Sequence, residues 1–265
     1  MKDSSPHRLK QLYWALHKTV RDWRAPPQHP PARVAPVWQH PASKFGCELV
    51  LDVGANTGQY GSAIRRQGYT GRILSFEPLS SAHQALVEKA ALDPAWDVYS
   101  RCAVGRAAGE AQINIAGNSV SSSLLPMLSL HADAAPTSVY TGSESTPIVT
   151  LDAAIASHAP GTQRIYLKID TQGFEAEVLA GLQESLPLVR AMEMELSLSP
   201  LYAGQPPWRE LIAQVEDAGF VIVDLRKAFA DRRTGQLLQI DAVFARPAEL
   251  VVQPLPPENS GREVS

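Results

Sequence analysis

Residues 50–61 read VLDVGANTGQYG. Val50, Leu51 and Val53 enclose one acid, Asp52, and glycines follow at Gly54, Gly58 and Gly61. The pattern predicts a strand that enters a tight turn and leaves it as a helix, because glycine reaches φ values closed to other residues. Turns of this kind let a ligand approach the backbone. A pyrophosphate-binding turn reads G-x-G-x-x-G, and its middle glycine makes room for the phosphates. Here Asn56 stands at that middle position. A Walker loop would need a lysine after its last glycine, and Gln59 follows Gly58 instead.

Outward from this turn the chain alternates. Apolar runs predict strands at 48–53, 72–77, 96–100, 164–170, 189–196 and 220–225, with a last strand at 239–245 pairing antiparallel. Helical spacing marks 58–67, 80–91, 174–182 and 208–218. Strand–helix alternation argues for an α/β three-layer sandwich, a mostly parallel sheet with helices on both faces. The interval from 100 to 164 exceeds one crossover. It holds a strand at 111–116, a serine-rich loop at 118–125 and an apolar piece at 147–156. Long insertions in such folds usually carry function.

The ends read differently. Leu9, Leu12, Leu16 and Val20 recur at helical spacing within 7–24, and six prolines follow within 25–41. The sequence after 246 is rich in proline and polar residues. These boundaries divide the chain into an N-terminal helix and linker (1–44), a main domain (45–246) and a tail (247–265).

The chain has 265 residues, 45% hydrophobic and 19% charged, which suits one domain with a sizeable core. Net charge is -3 and no basic run stands out, so no nucleic-acid partner is expected. Cys47 and Cys102 lie far apart with no CxxC pair, a pattern of the reducing cytoplasm rather than of a zinc site or disulfide scaffold. No stretch reads as a signal peptide or a transmembrane segment. The expectation is a cytoplasmic protein, and the sequence carries no signal of oligomeric state.

A second acid narrows the ligand. Glu77 ends the second strand candidate, roughly 20 residues beyond the glycine turn, where a carboxylate accepts hydrogen bonds from ribose hydroxyls. Pro78 stops the strand there. A ribose without a pyrophosphate fits S-adenosylmethionine: Asp52 would serve its ammonium side, Glu77 its ribose, and the third strand end, Cys102-Ala103-Val104, its adenine. The expected cofactor-binding residues are therefore Asp52, Gly54, Asn56, Gly58, Glu77 and Ala103.

DVGANTGQYG, SFEP, SSSLL, LKIDTQGFEAEVLAGL, MEMELSLSPLYAGQ and QIDAVFAR together resemble the FkbM family of S-adenosylmethionine-dependent methyltransferases. The resemblance runs over roughly 45–246, and LKIDTQGFEAEVL is its most specific block. It implies a class I methyltransferase fold, Rossmann-like, with a seven-stranded sheet whose last strand is antiparallel. It also implies methylation of a hydroxyl on a sugar, glycan or natural-product acceptor, and it favours a site role for the serine loop.

Methyl transfer to an alcohol needs the acceptor held in line and its proton removed. In RIYLKIDTQG, Tyr166, Lys168 and Asp170 share one strand face, and Glu193 and Glu195 alternate with methionines in RAMEMELS. Central parallel strands are ordinarily apolar on both faces, so these charges stand out. Buried charge needs a partner, which pairs Lys168 with Glu193 or Glu195. Asp170 is the expected base or acceptor-orienting group, with Lys168 and Glu195 holding it. A different reading joins Asp170, Glu195 and Asp241 around Mg²⁺ in a metal-assisted O-methyltransferase; Lys168 beside them opposes it. An oxidoreductase on a similar sheet, or a nucleotide-binding protein without catalysis, complete the alternatives. Ser121, Ser122 and Ser123 would bond acceptor or cofactor. His131 and His158 read as loop residues, and Tyr202 and Trp208 as an aromatic wall or a packed lid.

Overall fold

The computed structural model describes residues 40–250. The helix expected at 7–24, most of the proline-rich linker and the tail beyond 250 lie outside the described residues. α1 (Pro41–Lys44) leads into β1 (Leu49–Val53), α2 (Gln59–Arg66) and β2 (Arg72–Phe76). α3 (Ser80–Ala90) and the short β3 (Trp96–Val98) follow. Next come β4 (Ala103–Val104), β5 (Gly109–Ala116), α4 (Ser129–Ala134), β6 (Tyr140–Val149) and α5 (Leu151–His158). The remaining elements are β7 (Ile165–Ile169), α6 (Glu175–Ala180), β8 (Val189–Ser197), α7 (Trp208–Asp217), β9 (Val221–Ala230) and β10 (Leu237–Ala245).

A seven-stranded sheet runs in the order β3-β2-β1-β7-β8-β10-β9. β10 is antiparallel to both neighbours, β8 and β9, and the other pairings are parallel. Alternation along each strand divides the core in two. Leu49, Leu51 and Val53 face Leu151 and Ile155 of α5, Val178 of α6 and the Met192–Met194 side of β8. Val50, Ile73 and Tyr166 face Ala42 of α1, Ile64 of α2 and Leu86 of α3. Each fully buried leucine or isoleucine contributes about 1.5–3 kcal/mol, which fixes both helical layers to the sheet.

Two readings of the middle region change. The third strand ends at Val98, and Ala103–Val104 belongs to a separate three-stranded sheet, β4-β6-β5. The stretch 147–156 divides at Thr150, whose hydroxyl caps α5 by accepting from the Ala153 N–H. So the long interval after 100 holds a three-stranded sheet and two short helices beside the serine-rich loop. Ala42 and Phe45 are buried in the core, which seats the end of the proline-rich segment on the domain.

Strand order reverses between β1 and β7, the switch point where α/β folds bind ligands. Gly54 leaves β1 there with φ 78°, and the Asp170 N–H donates to the Val53 carbonyl. A Cβ at Gly54 would collide with the Asp170 carbonyl oxygen. Gly54→Ala is therefore expected to destabilise the protein by about 2–4 kcal/mol, from overpacking plus a left-handed alanine. Urea unfolding checks this, and an unchanged midpoint would refute it.

Candidate active site

A cavity of about 420 Å³ opens at this switch point, within the range of small-molecule sites. At one end stand Glu77, Pro78, Cys102, Ala103, Val104 and Phe174; at the other stand Tyr60, Lys168, Asp170, Glu193 and Asp241. Gly54 and Asn56 lie between, with Ser119, Ser122 and Ser123 of the serine loop also on the wall.

Glu77 braces the turn. One carboxylate oxygen accepts from the Asn56 N–H at 2.7 Å and the other from the Leu79 N–H at 2.8 Å. Each oxygen keeps a lone pair for a further donor. Burial raises its carboxyl to about 7, against the pull of those two backbone donors. Asn56 adopts φ 45°, a left-handed geometry asparagine tolerates better than most residues. Its side-chain oxygen accepts from the Thr57 N–H and its amide donates to the Ser119 hydroxyl, so the asparagine ties the turn to the serine loop.

Two expected cofactor-binding residues sit elsewhere than the sequence suggested. Asp52 is fully buried and outside the cavity wall, because β1 register sets it between Ser75 and Lys168. Its Oδ2 accepts from the Ser75 hydroxyl at 3.2 Å, and its Oδ1 lies 3.4 Å from the Lys168 Nζ. Its carboxylate lies behind the cavity wall rather than on it. Gly58 starts α2 against Trp96 and Leu86, so its missing side chain makes room for protein. Glu195 reaches Asp170 through Gln172: its Oε2 accepts from the Gln172 and Gln239 amides, each at 2.6 Å, and the Gln172 amide also donates to Asp170.

The partner expected for Lys168 also changes. Its ammonium donates to the Gly54 carbonyl at 3.1 Å and lies 3.5 Å from Asp170. Burial alone would drive that ammonium down, yet Asp170, Asp52, Glu193 and Glu195 together hold it above the ordinary lysine range. Glu193 has partners of its own: Tyr60 and Tyr166 donate to its Oε2 at 3.1 and 2.9 Å, and Arg226 reaches its Oε1 at 3.0 Å. His40 completes the chain. Its Nδ1 accepts from Ala42, leaving Nε2–H to donate to the Tyr60 hydroxyl, and burial lowers it to about 4.

Asp170 sits at the end of β7 with one oxygen toward Lys168 and the other accepting from Gln172 at 2.8 Å. Gln172 was not singled out by sequence. It is buried, has φ 55°, and its amide spans Asp170 and Glu195 while its oxygen accepts from the Tyr202 hydroxyl at 2.7 Å. The only sequence signal was its position just before Gly173 in the turn. Tyr202 is accordingly a buried strut, and Trp208 begins α7 off the cavity wall. His131 is buried and lowered to about 4, not a solvated loop histidine, and His158 ends α5 against Tyr99. Among the described residues, no three His, Cys, Asp or Glu side chains group to hold a metal ion. Nor is any described helix long and apolar enough to cross a membrane.

Sheet order, switch-point cavity and an acid at the end of β2 define a class I methyltransferase fold. The chain matches the family described as Methyltransferase FkbM domain over residues 52–222, and it belongs to that family. A comparison with curated proteins finds no match. Solved structures similar to this one include the magnesium protoporphyrin IX methyltransferase of Synechocystis with bound S-adenosylmethionine, at 10% identity and TM-score 0.44, covering 93% of this chain and 86% of that one. Another is the 1,6-didemethyltoxoflavin-N1-methyltransferase of Burkholderia thailandensis, at 14% identity and TM-score 0.39, covering 93% and 92%. A third is the Aeropyrum pernix fibrillarin in complex with S-adenosylmethionine, at 12% identity and TM-score 0.42, covering 76% and 66%.

The cofactor is S-adenosylmethionine, and the site fits it. Glu77 stands on the cavity wall with a lone pair left on each carboxylate oxygen, and Asn56 stands beside it. Because the Glu77 carboxyl ionises near pH 7, cofactor affinity should rise between pH 6 and 8 as that carboxylate forms. The same shift works against the cofactor-free fold, whose stability falls as pH rises through about 7. Glu77→Gln should bind about 10-fold or more weakly, with a flat pH dependence. Calorimetric titration at pH 6, 7 and 8 checks it; an unaltered slope in the variant would remove Glu77 from the site.

Proposed function

We propose that this chain, through residues 45–246, transfers the methyl group of S-adenosylmethionine to a hydroxyl oxygen of a neutral sugar, glycan or natural-product acceptor. The observation that carries the reading is the pair of carboxylates at the cavity end away from Glu77: Asp170, held on both oxygens, and Asp241, which has no hydrogen-bond or ion-pair partner among the described residues. When bound, the cofactor would supply an electrophilic methyl group, its methyl–sulfur bond breaking to leave a neutral thioether. Asp170, fixed by Lys168 and Gln172, accepts a hydrogen bond from the acceptor hydroxyl and orients it. Asp241 takes the hydroxyl proton as the carbon–oxygen bond forms. Lys168 and Glu195 act through Asp170 and Gln172 rather than on the acceptor. Asp170, Glu193 and Asp241 on one wall favour neutral acceptors over phosphate-bearing ones such as nucleic acids.

The test uses cofactor carrying a labelled methyl group. Purified protein is offered neutral glycosides and hydroxylated macrolides beside phosphorylated sugars and RNA, and alkali-stable label is counted. Ether-linked label on a neutral acceptor supports the reading. Label confined to nitrogen, or to phosphorylated or RNA acceptors, refutes it. A thermal shift accompanies the assay, since ligand at 100 times its dissociation constant adds about 2.7 kcal/mol. A shift with NAD and none with S-adenosylmethionine would return the oxidoreductase.

A further inference from the structure

Among the described residues β9 is the outer strand of the large sheet and pairs only with β10. Residues 221–228 are all exposed, including Val221, Ile222 and Val223, and Leu225 is 54% exposed. An edge strand this long and this apolar is a template for another strand. Its occupant can be read from its own sequence, VIVDLRKAFA.

We infer that β9 pairs antiparallel with β9 of a second copy, about a two-fold axis through Leu225. Side chains alternate between sheet faces, so in a symmetric edge-to-edge pair the axis must fall on a residue rather than between two. With the axis at Leu225, Asp224 faces Arg226 of the second copy, Arg226 faces Asp224, and Leu225 meets Leu225. Farther out, Val223 lies opposite the aliphatic stem of Lys227 and Ile222 opposite Ala228. Opposite charges directly across strands stabilise a sheet and like charges oppose it. Moving the axis one residue either way sets Asp224 against Asp224 or Arg226 against Arg226, and moving it two residues loses the cross-strand charge pairs, so the charges favour the Leu225 axis. Within one copy these two side chains already pair, 3.3 Å apart on the same face.

The pairing closes at two copies. The opposite edge of the sheet is β3, only three residues long, which offers little for further growth. Arg226 also holds Glu193 of the cavity wall at 3.0 Å, so the interface shares a residue with the support of the site.

Sedimentation and light scattering of the full chain test the inference. The parent should behave as two copies. Leu225→Asp, at an exposed position, should yield single copies, because it crowds four acids around the axis. Asp224→Arg should do the same by opposing Arg226, whereas Asp224→Glu should remain paired. A thermal shift with S-adenosylmethionine in every variant shows that the domain is folded. A parent that sediments as single copies, or a pair that survives either Leu225→Asp or Asp224→Arg, overturns the inference.

Discussion

Asp241→Asn should lower the maximal rate of methyl transfer by about 10²- to 10⁴-fold, which is roughly 3–5 kcal/mol in the barrier. Affinity for S-adenosylmethionine should stay within a few fold, because Glu77 stands at the other end of the cavity. Asparagine keeps the shape of the side chain and removes its ability to take a proton. The carboxyl is suited to that task. Burial first, then Glu193 and Asp170, raise it to about 6, while Arg226 and Lys168 pull the other way. Glu195 faces it across β8 and Asp224 lies on the adjoining β9. The sign follows directly: the carboxyl is ionised, and able to accept, above about pH 6. Rate should therefore climb as pH passes through 6, and that limb should vanish in the variant. A variant with half the parental rate, or one that keeps the limb, would assign the proton to another group.

How much of this was legible in the sequence depends on how far the cause lay along the chain. Strand and helix order in the large sheet, and its antiparallel last strand, follow from local periodicity and came through with ends shifted by a few residues, whereas β6 of the small sheet was not expected as a strand. Glu77 was legible because its distance from the glycine turn reflects one strand–helix–strand unit. Gly58 was not, since glycines freed for a ligand and glycines freed for a neighbour look alike in sequence, and here the neighbour is Trp96. The burial of Asp52 behind the cavity wall was hidden for the same kind of reason. Its burial is set by Ser75 and Lys168 on strands distant in the chain, and the register that joins them is a tertiary fact. Gln172 carries no spacing signature, and its role arises only where β7 and β8 bring Asp170 and Glu195 within reach of one amide.

Lys168→Met should cost about 3–5 kcal/mol of stability, the range for breaking a buried pair from one side. Lys168 supplies the positive charge next to a fully buried Asp52, whose only hydrogen-bond partner among the described residues is Ser75, at Oδ2. Methionine fills the space and leaves that acid without its cation. Burial already pushes the Asp52 carboxyl upward, with Lys168 and Ser75 opposing, so the variant should raise it further. A carboxyl raised above its unfolded value stabilises the fold at low pH and loses that contribution as pH rises through the folded value. The deficit should therefore be smaller at pH 5 than at pH 8. Adding Asp52→Asn to Lys168→Met should restore much of the loss, since it removes the charge left behind, although Asp170 then lacks its ammonium and transfer should stay slow. Urea unfolding at both pH values, with and without the second substitution, decides the matter. A single variant within 1 kcal/mol of the parent, or a double variant no better than the single, would mean that the Lys168–Asp52 contact is incidental to the fold. Recovered stability without recovered transfer would separate two duties of one ammonium: neutralising the acid beneath the sheet end and holding the acid at the cavity wall.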